Sequence, residues 1–186
     1  IMVANLPWLR DKPFRPDLER LFERPVHIGN DANCFALSEA TDGSAAGAKL
    51  VFGVILGTGV GGAIVVNGQI VTGANAIAGE WGHNPLPWRT PEDGAETMCG
   101  CGQTGCIETW LNGAALSRDY QALSGSEAKA KDISRLAEEN DAAATQAISQ
   151  YAERLARALA SAINFFDPDI IVLGGGLSEI SGLYHQ

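Results

Sequence analysis

Glu80-Trp81-Gly82-His83, followed after a polar loop by Cys99-Gly100-Cys101-Gly102-Gln103-Thr104-Gly105-Cys106-Ile107-Glu108, is the most informative stretch of this chain. Three of the four cysteines fall within eight residues as Cys-x-Cys-x4-Cys, with His83 shortly upstream. One imidazole and three thiolates form a closed tetrahedral ligand set for zinc, with no position left for water. The spacing therefore predicts a structural zinc held by His83, Cys99, Cys101 and Cys106, an ion that pins a loop and cleaves nothing. Gly100, Gly102 and Gly105 interleave these residues and supply the tight turns that let them converge. Two plainer readings compete. Free cysteines are often only small buried hydrophobes, and disulfides are the other alternative, although Cys99 and Cys101 are too close to pair comfortably and Cys34 lies far away in a helical pattern. Glu80 and Glu108 flank the first and last ligands, so the clip presents a pair of carboxylates, which suggests a polyol or sugar site.

The chain's 186 residues fit one ordinary domain, or one domain and part of another, and 46% hydrophobic content suffices for a core. No run approaches the ~20 apolar residues of a membrane span, and the first residues do not read as a signal peptide. Clustered thiols without an even disulfide framework fit a reducing compartment, so a cytoplasmic location is expected. A net charge of −9 argues against a nucleic-acid surface, which needs a basic patch. It leaves nucleotide binding open, because backbone amides and metal ions can hold phosphates.

Ile1 to Trp8 is apolar and starts mid-pattern. Asp17–Glu23 reads as a short helix ended by Pro25, Val26–Gly29 as a strand, and Ala32–Ala46 as a helix capped by Asn30 or Asp31 and closed by Gly47. Leu50–Leu56 and Ala63–Val66 read as strands, Asn67-Gly68 as a hairpin turn, and Gln69–Thr72 as the return strand. A loop-rich stretch, Gly73–Cys106, precedes helices around Gly113–Leu123, Ala130–Glu139 and Asp141–Phe166. The last of these carries a core stripe of Ile148, Tyr151, Leu155, Leu159, Ile163 and Phe166. Ile170–Leu173 is a buried strand, and Gly174-Gly175-Gly176 opens a turn into another helix. His27 and His185 are assigned to structure, and Trp8, Trp81, Trp88 and Trp110 to packing, with Trp81 also a candidate for lining the sugar pocket.

Gly57, Gly59 and Gly62 match G-x-G-x-x-G, but a dinucleotide fingerprint must open a helix, and a hairpin follows here. The alternatives are a plain glycine hairpin, or a strand–turn–strand whose N–H groups and Thr58 hydroxyl cradle phosphate. Gly174–Gly176 follows an apolar strand, the place where ligands bind in α/β sheets. Asp31 at a strand-to-helix junction is by default an N-cap. Beside an acidic zinc loop, its alternative role is the base that accepts a hydroxyl proton in phosphoryl transfer, with Asn30, Glu80, His83 and Glu108 binding further sugar hydroxyls.

Asn30-Asp31-Ala32-Asn33-Cys34, Leu56–Gly62, Gly79–His83, the Cys99–Glu108 segment and Leu173–Gly176 together resemble, in order and over essentially the whole chain, the ROK family of bacterial sugar kinases. Glu80–Trp88 and Cys106–Thr109 look more like its fructokinase-type branch than its N-acetylglucosamine or glucose branches. The resemblance implies an α/β, actin-like (ribonuclease H-like) fold whose two lobes close on ATP–Mg2+ and a hexose, in a homodimer. Residues 1–46 would be the C-terminal part of the small lobe and 47–186 most of the large one. By motif match, Asp31 is the base, and Asn30, Asp31, Glu80, His83 and Glu108 contact sugar. His83, Cys99, Cys101 and Cys106 bind zinc, Gly57, Thr58 and Gly59 touch phosphate, and Gly174, Gly175 and Gly176 touch adenosine. Family members begin with an Asp-x-Gly-x-Thr phosphate loop that this sequence does not show, so it reads as a fragment, short also of the last helices. The expected activity is ATP-dependent transfer to a hexose hydroxyl, with fructose ahead of mannose, glucose or N-acetylglucosamine. A sugar-responsive regulator and an inactive zinc-stabilised sugar binder are the alternatives.

Overall fold

The computed structural model describes residues 12–184; the readings of Ile1–Trp8 and His185 lie outside them. The chain divides into two compact units, Ile1–Asp31 and Ala32–Gln186. In the first, α1 spans Phe14–Phe22 and ends at Glu23 in a left-handed conformation. Its surface carries Arg15–Glu19 and Arg20–Asp17 ion pairs, and Leu21 and Phe22 are exposed. Val26–Gly29, expected as a strand, belongs to no ladder among the described residues. The N–H of Val26 is instead taken by Glu19 Oε1 at 3.3 Å.

The second unit is built on a four-stranded sheet in the order β3-β2-β1-β4. Its strands are β1 (Leu50–Leu56), β2 (Val60–Val66), β3 (Gln69–Ile70) and β4 (Ile170–Gly174). β1 runs antiparallel to β2 and parallel to β4. Asn67 and Gly68 both have positive φ, the backbone of a two-residue hairpin turn. β2 starts three residues earlier than expected, so Gly61 and Gly62 are strand residues opposite Ile55 and Val54, and the turn shrinks to Gly57–Gly59.

β1 is apolar throughout because both faces of it are covered. Val51 lies on one face with Ala63, Val65 and the small residues Ala32, Ala36 and Ala40 of helix α2, Asp31–Thr41. Gly53 permits this approach, since a Cβ there would sit 2.5 Å from Ala36 Cβ. α2 is shorter than the expected Ala32–Ala46 because Glu39 Oε2 captures the N–H and Oγ of Ser44 at 2.8 and 2.7 Å, turning the chain toward Gly47.

On the other face, Phe52, Val54 and Leu56 meet α3 (Glu108–Leu111), α4 (Gly113–Ser124), α5 (Ala130–Glu138) and α6 (Ala142–Phe166). Asp141 caps α6 through Ala144 N–H at 2.8 Å. Ile148, Tyr151 and Leu155 are buried as expected, and Leu159 and Phe166 pack at the margin. Ile163, in contrast, is 43% exposed. Successive steps of four, from Leu155 through Leu159 to Ile163, each overshoot a full turn by about 40°, so the stripe drifts off the core until the step of three to Phe166. After β4 the expected helix is instead a turn and a 3-10 segment, Ser181–Leu183, among the described residues. No helix among the described residues is long and apolar enough to cross a membrane.

Under this helical layer lies a buried ionic cluster that the sequence reading missed. Asp93 is 8% exposed and Arg154 of α6 2%. Arg154 Nε lies 3.1 Å from Asp93 Oδ1, and Arg157 reaches both oxygens of the same carboxylate, at 2.5 and 3.0 Å. Arg154 also pairs with Asp119 of α4 at 2.5 Å. Burial pushes the Asp93 carboxyl up, but Arg157, the Thr90 N–H and Arg154 outweigh it and hold the group down at about 2. At Asp119 burial wins over Arg154, and the carboxyl is raised.

A depressed carboxyl contributes stability above its unfolded value and loses it as pH falls through its folded value. Asp93→Asn is therefore expected to cost about 2 kcal/mol at neutral pH. The gap from wild type should close as pH drops from about 4 toward 2, and because Asp93 helps to raise the Asp119 carboxyl, the variant also relieves part of that opposing shift. Denaturant unfolding along a pH series checks this, and a gap of constant size would refute it.

Candidate functional site

The segment ahead of the cysteines is laid directly on β2. Gly79 has φ +89°, and a Cβ on it would lie 2.5 Å from the Gly62 carbonyl oxygen and 2.9 Å from Ala63 Cα. A Cβ on Gly62 would meet Gly79 O at 2.8 Å, and one on Gly82 would collide with the Val60 carbonyl oxygen. Only glycines allow two backbones to approach so closely. Trp81 secures the contact: its Nε1 donates to Gly61 O at 3.2 Å, and its buried ring meets Phe52 edge-to-face at 5.5 Å. The 3-10 turn Trp81–His83 then sets Glu80 at its entrance and His83 at its end, both exposed.

The cysteine segment folds back on this turn. Ile107 N–H bonds to Asn84 O at 2.8 Å, Leu86 N–H to Gly105 O at 3.1 Å, and Cys99 N–H to Gln103 O at 2.8 Å. As a result the donor atoms of His83, Cys99, Cys101 and Cys106 all lie within 4.8 Å of one another. Cys99 Sγ is 3.4 Å from His83 Nδ1, and Cys101 Sγ is 3.7 Å from Cys106 Sγ. Zinc–sulfur bonds of about 2.3 Å give a tetrahedron edge of about 3.8 Å, so the donor set fits that ion. Burial pushes the Cys99 thiol up, and burial with the neighbouring thiols pushes Cys106 up to about 12. Cys101 is lowered by the Gln103 N–H. Two of three crowded thiols thus resist ionising unless a cation supplies the compensating charge. His83 would offer Nδ1, since its Nε2 faces Glu80 Oε2 at 3.9 Å.

Glu108, the first residue of α3, joins this cluster to the glycine turn. Its Oε1 accepts from Cys99 Sγ at 3.6 Å and its Oε2 from Val60 N–H at 3.1 Å. Gly59 leaves room for it, as a Cβ there would lie 2.7 Å from Oε2. The two glycine turns are neighbours at the carboxyl ends of the parallel strands β1 and β4, where Ile55 pairs with Gly174. Leu177 N–H bonds to Leu56 O at 3.1 Å, and Gly175 adopts φ +86° against the Leu56 backbone. Gly113 N–H donates to Gly57 O at 2.9 Å, bringing the start of α4 to the same edge, while Thr58 stays exposed.

The second unit therefore gathers Glu80, His83, the three cysteines, Glu108, the Gly57–Gly59 turn and Gly174–Gly176. Asn30 and Asp31 belong to the first unit; Asp31 is the exposed first residue of α2, with Asn30 just before it. Trp110 is buried as expected, whereas Trp88 is 59% exposed. Sequence reasoning missed Gly113, although Asn112-Gly113 reads as a cap followed by a helix start. It also missed the close backbone approach at Gly62, Gly79 and Gly82, whose only signal was the glycines themselves.

A family model, described as the ROK family, matches residues 1–186, and the chain belongs to that family. The N-acetyl-D-glucosamine kinase of Pectobacterium carotovorum subsp. carotovorum (strain PC1) is 41% identical over 188 residues, covering 99% of this chain and 62% of the relative. That of Citrobacter koseri is 41% identical over 100% of this chain and 63% of the relative. The chain thus spans about three-fifths of the length of these relatives. Among solved structures, a ROK hexokinase from Thermus thermophilus superposes with TM-score 0.77 at 36% identity, over 90% of this chain and 56% of that one. A ROK family glucokinase from Streptomyces griseus, solved with glucose and AMPPNP, gives 0.78 at 32% identity, over 91% and 58%. The fold is accordingly the family's actin-like ATPase fold. The fructokinase-type expectation finds no support, because the relatives at about two-fifths identity are N-acetyl-D-glucosamine kinases.

Gly82→Ala should force the 79–83 segment off β2, at a cost of about 1–3 kcal/mol. Metal analysis of the purified chain should then find zinc bound in the wild type and depleted in this variant. Equal zinc content in both would show that the backbone contact does not set the cluster.

Proposed function

We propose that this chain carries the acceptor and nucleotide surfaces of an ATP-dependent kinase acting on a hydroxyl of a hexose, with N-acetyl-D-glucosamine or glucose as the acceptor class. The observation that carries the reading is Glu108, whose one carboxylate touches both Cys99 and the backbone of the glycine turn. The residues proposed for the acceptor and those proposed for phosphate are therefore joined by one side chain. The names of the relatives, and the glucose and AMPPNP bound to the Streptomyces griseus enzyme, support the same assignment.

In this reading Glu80, His83 and Glu108 bind ring hydroxyls, and Asn30 binds the one beside the reacting oxygen. Asp31 accepts the proton of the attacking hydroxyl as the γ-phosphoryl group transfers in line, a reaction in which positioning does most of the work. The Gly57–Gly59 turn and Thr58 offer donors to phosphate, and in the Gly174–Gly176 turn Gly176, with open space where a side chain would be, is the part that could lie against a nucleoside. Mg2+ accompanying ATP would neutralise charge on the phosphates, and zinc on the three thiols and His83 would stiffen the acceptor loop.

A regulator is the second reading, because a solved ROK family transcriptional regulator, a homologue of the E. coli Mlc protein, shares the fold at TM-score 0.77 and 28% identity. The net charge of −9 and the Asn30-Asp31 pair favour catalysis.

ADP release with Mg–ATP and a hexose panel, measured on the product of the whole reading frame, tests the proposal. N-acetyl-D-glucosamine or glucose should be turned over ahead of fructose, and a preference for fructose would overturn the acceptor class. Asp31→Asn should lower kcat by about 10³-fold while leaving acceptor binding intact. Turnover retained in that variant would remove Asp31 from the role of base.

A further inference from the structure

Between Pro85 and Met98 the loop runs 14 residues with a single 3-10 turn, Pro91–Asp93, as its only helical or strand element. A stretch of that length needs something to seat it. The four metal-binding candidates lie at its two ends, and none lies within it. What holds the middle is ionic. Thr90 and Asp93 form a reciprocal cap, with Thr90 N–H on Asp93 Oδ2 at 2.8 Å. Arg154 bonds to the Asp93 carboxylate and to its backbone oxygen, the latter at 3.2 Å. Arg157 grips both carboxylate oxygens and also donates to Trp88 O at 2.7 Å, leaving its own Nε without a partner.

Neighbouring contacts reinforce the same seat. Arg89 pairs with Glu96 and donates to Gly94 O at 2.9 Å. The Arg89 and Arg154 guanidinium groups lie 4.9 and 5.3 Å from the centre of the Trp110 ring. α6 is in turn fixed to α3 by Tyr151 Oη on Leu111 O at 2.8 Å. Unpairing a buried carboxylate is costly, whereas the net gain from forming such a pair is small. An arrangement of this kind specifies a position more than it adds stability.

We propose that Asp93 is a positioning residue: through Arg154 and Arg157 it seats loop 85–98 on α6 independently of the metal, and so holds the acceptor surface at Glu80 and His83 in register. The second half of that statement rests on the hexose-site reading above; the first does not.

Hydrogen exchange on this chain, with and without zinc, separates the two clips. In the metal-free wild type, peptides within 86–97 should stay protected while 99–106 loses protection. In zinc-loaded Asp93→Asn the pattern should reverse: exchange in 86–97 rises at least about tenfold, with zinc content and protection of 99–106 unchanged. Arg157→Gln, which leaves Arg154 to balance Asp93, should show the same pattern more weakly and serves if the first variant does not fold. Three outcomes would overturn the clip: unchanged exchange in 86–97, a rise spread evenly over the sheet and α4, or release of 86–97 by metal removal alone. Calorimetric titration with N-acetyl-D-glucosamine and glucose reads the other half, with acceptor affinity expected to fall about tenfold in Asp93→Asn. If neither sugar binds the wild type, the hexose reading fails, while the exchange data still judge the clip. Affinity unchanged in a variant whose loop is released would end the positioning role.

Discussion

Two backbones pressed together, residues 79–82 against 60–63, set the geometry on which the candidate site depends. The contact exists because Gly62, Gly79 and Gly82 carry no Cβ where one would strike a carbonyl or a Cα of the opposite segment. It fixes His83 and Glu80 with respect to β2, and β2 begins at the glycine turn. Once that distance is set, Glu108 can span from Cys99 to Val60 N–H with a single side chain. A larger spacing would break the span and separate the thiol cluster from the turn. Hydrophobic burial supplies the background force, with Phe52, Trp110 and Tyr151 fully buried in one cluster. Burial is not directional, however, and cannot by itself set a separation to within an ångström.

The sheet explains why both glycine turns serve the same edge. β1 and β4 are parallel neighbours, so their carboxyl ends emerge side by side, and Leu177 N–H on Leu56 O ties the second turn to the end of β1. The first turn reverses into β2 while the second leads into the 3-10 segment, so one edge carries two glycine turns that leave in different directions. The start of α4 joins them through Gly113. In a chain with a net charge of −9, backbone donors and metal ions are the means of holding phosphate that do not call on a basic patch.

Features whose cause is local were legible in the sequence. The Asn67-Gly68 turn, the strand β1, the extent of α6 and the convergence of His83 with the three cysteines all follow from short-range pattern, and all are found. Features that depend on a partner were not. Val26–Gly29 has the composition of a strand, but its first N–H goes to Glu19. Ile163 keeps the spacing of the stripe, yet accumulated phase carries it outward. Gly61 and Gly62 looked like turn residues, but they pair with Ile55 and Val54 of β1, and at Gly62 it is Trp81 and Gly79 that occupy the space a side chain would fill. Asp93, Arg154 and Arg157 gave no signal, because charges 61 and 64 residues apart carry no mark of their pairing. The fructokinase-type branch finds no support for a related reason: acceptor choice follows from pocket shape, which short motifs around the shared ligands do not encode.

The segment from Gly79 to Cys106 thus has supports of three physical kinds, each acting on a different part of it. Close backbone packing fixes its entrance at Gly79–Gly82, a buried carboxylate held by two arginines fixes its middle, and a cluster of donors suited to zinc fixes its exit. Steric contact is indifferent to pH and metal, the ion pairs weaken in acid but not with metal supply, and the thiol cluster responds to both. No single condition releases all three together. Such redundancy would have a direct physical use if Glu80, His83 and Glu108 bind an acceptor as proposed, because it keeps them in a fixed relation. Hydrogen bonds weaken steeply with misalignment, so under the proposed hexose reading a loop secured only at its ends would lose selectivity well before it lost its fold.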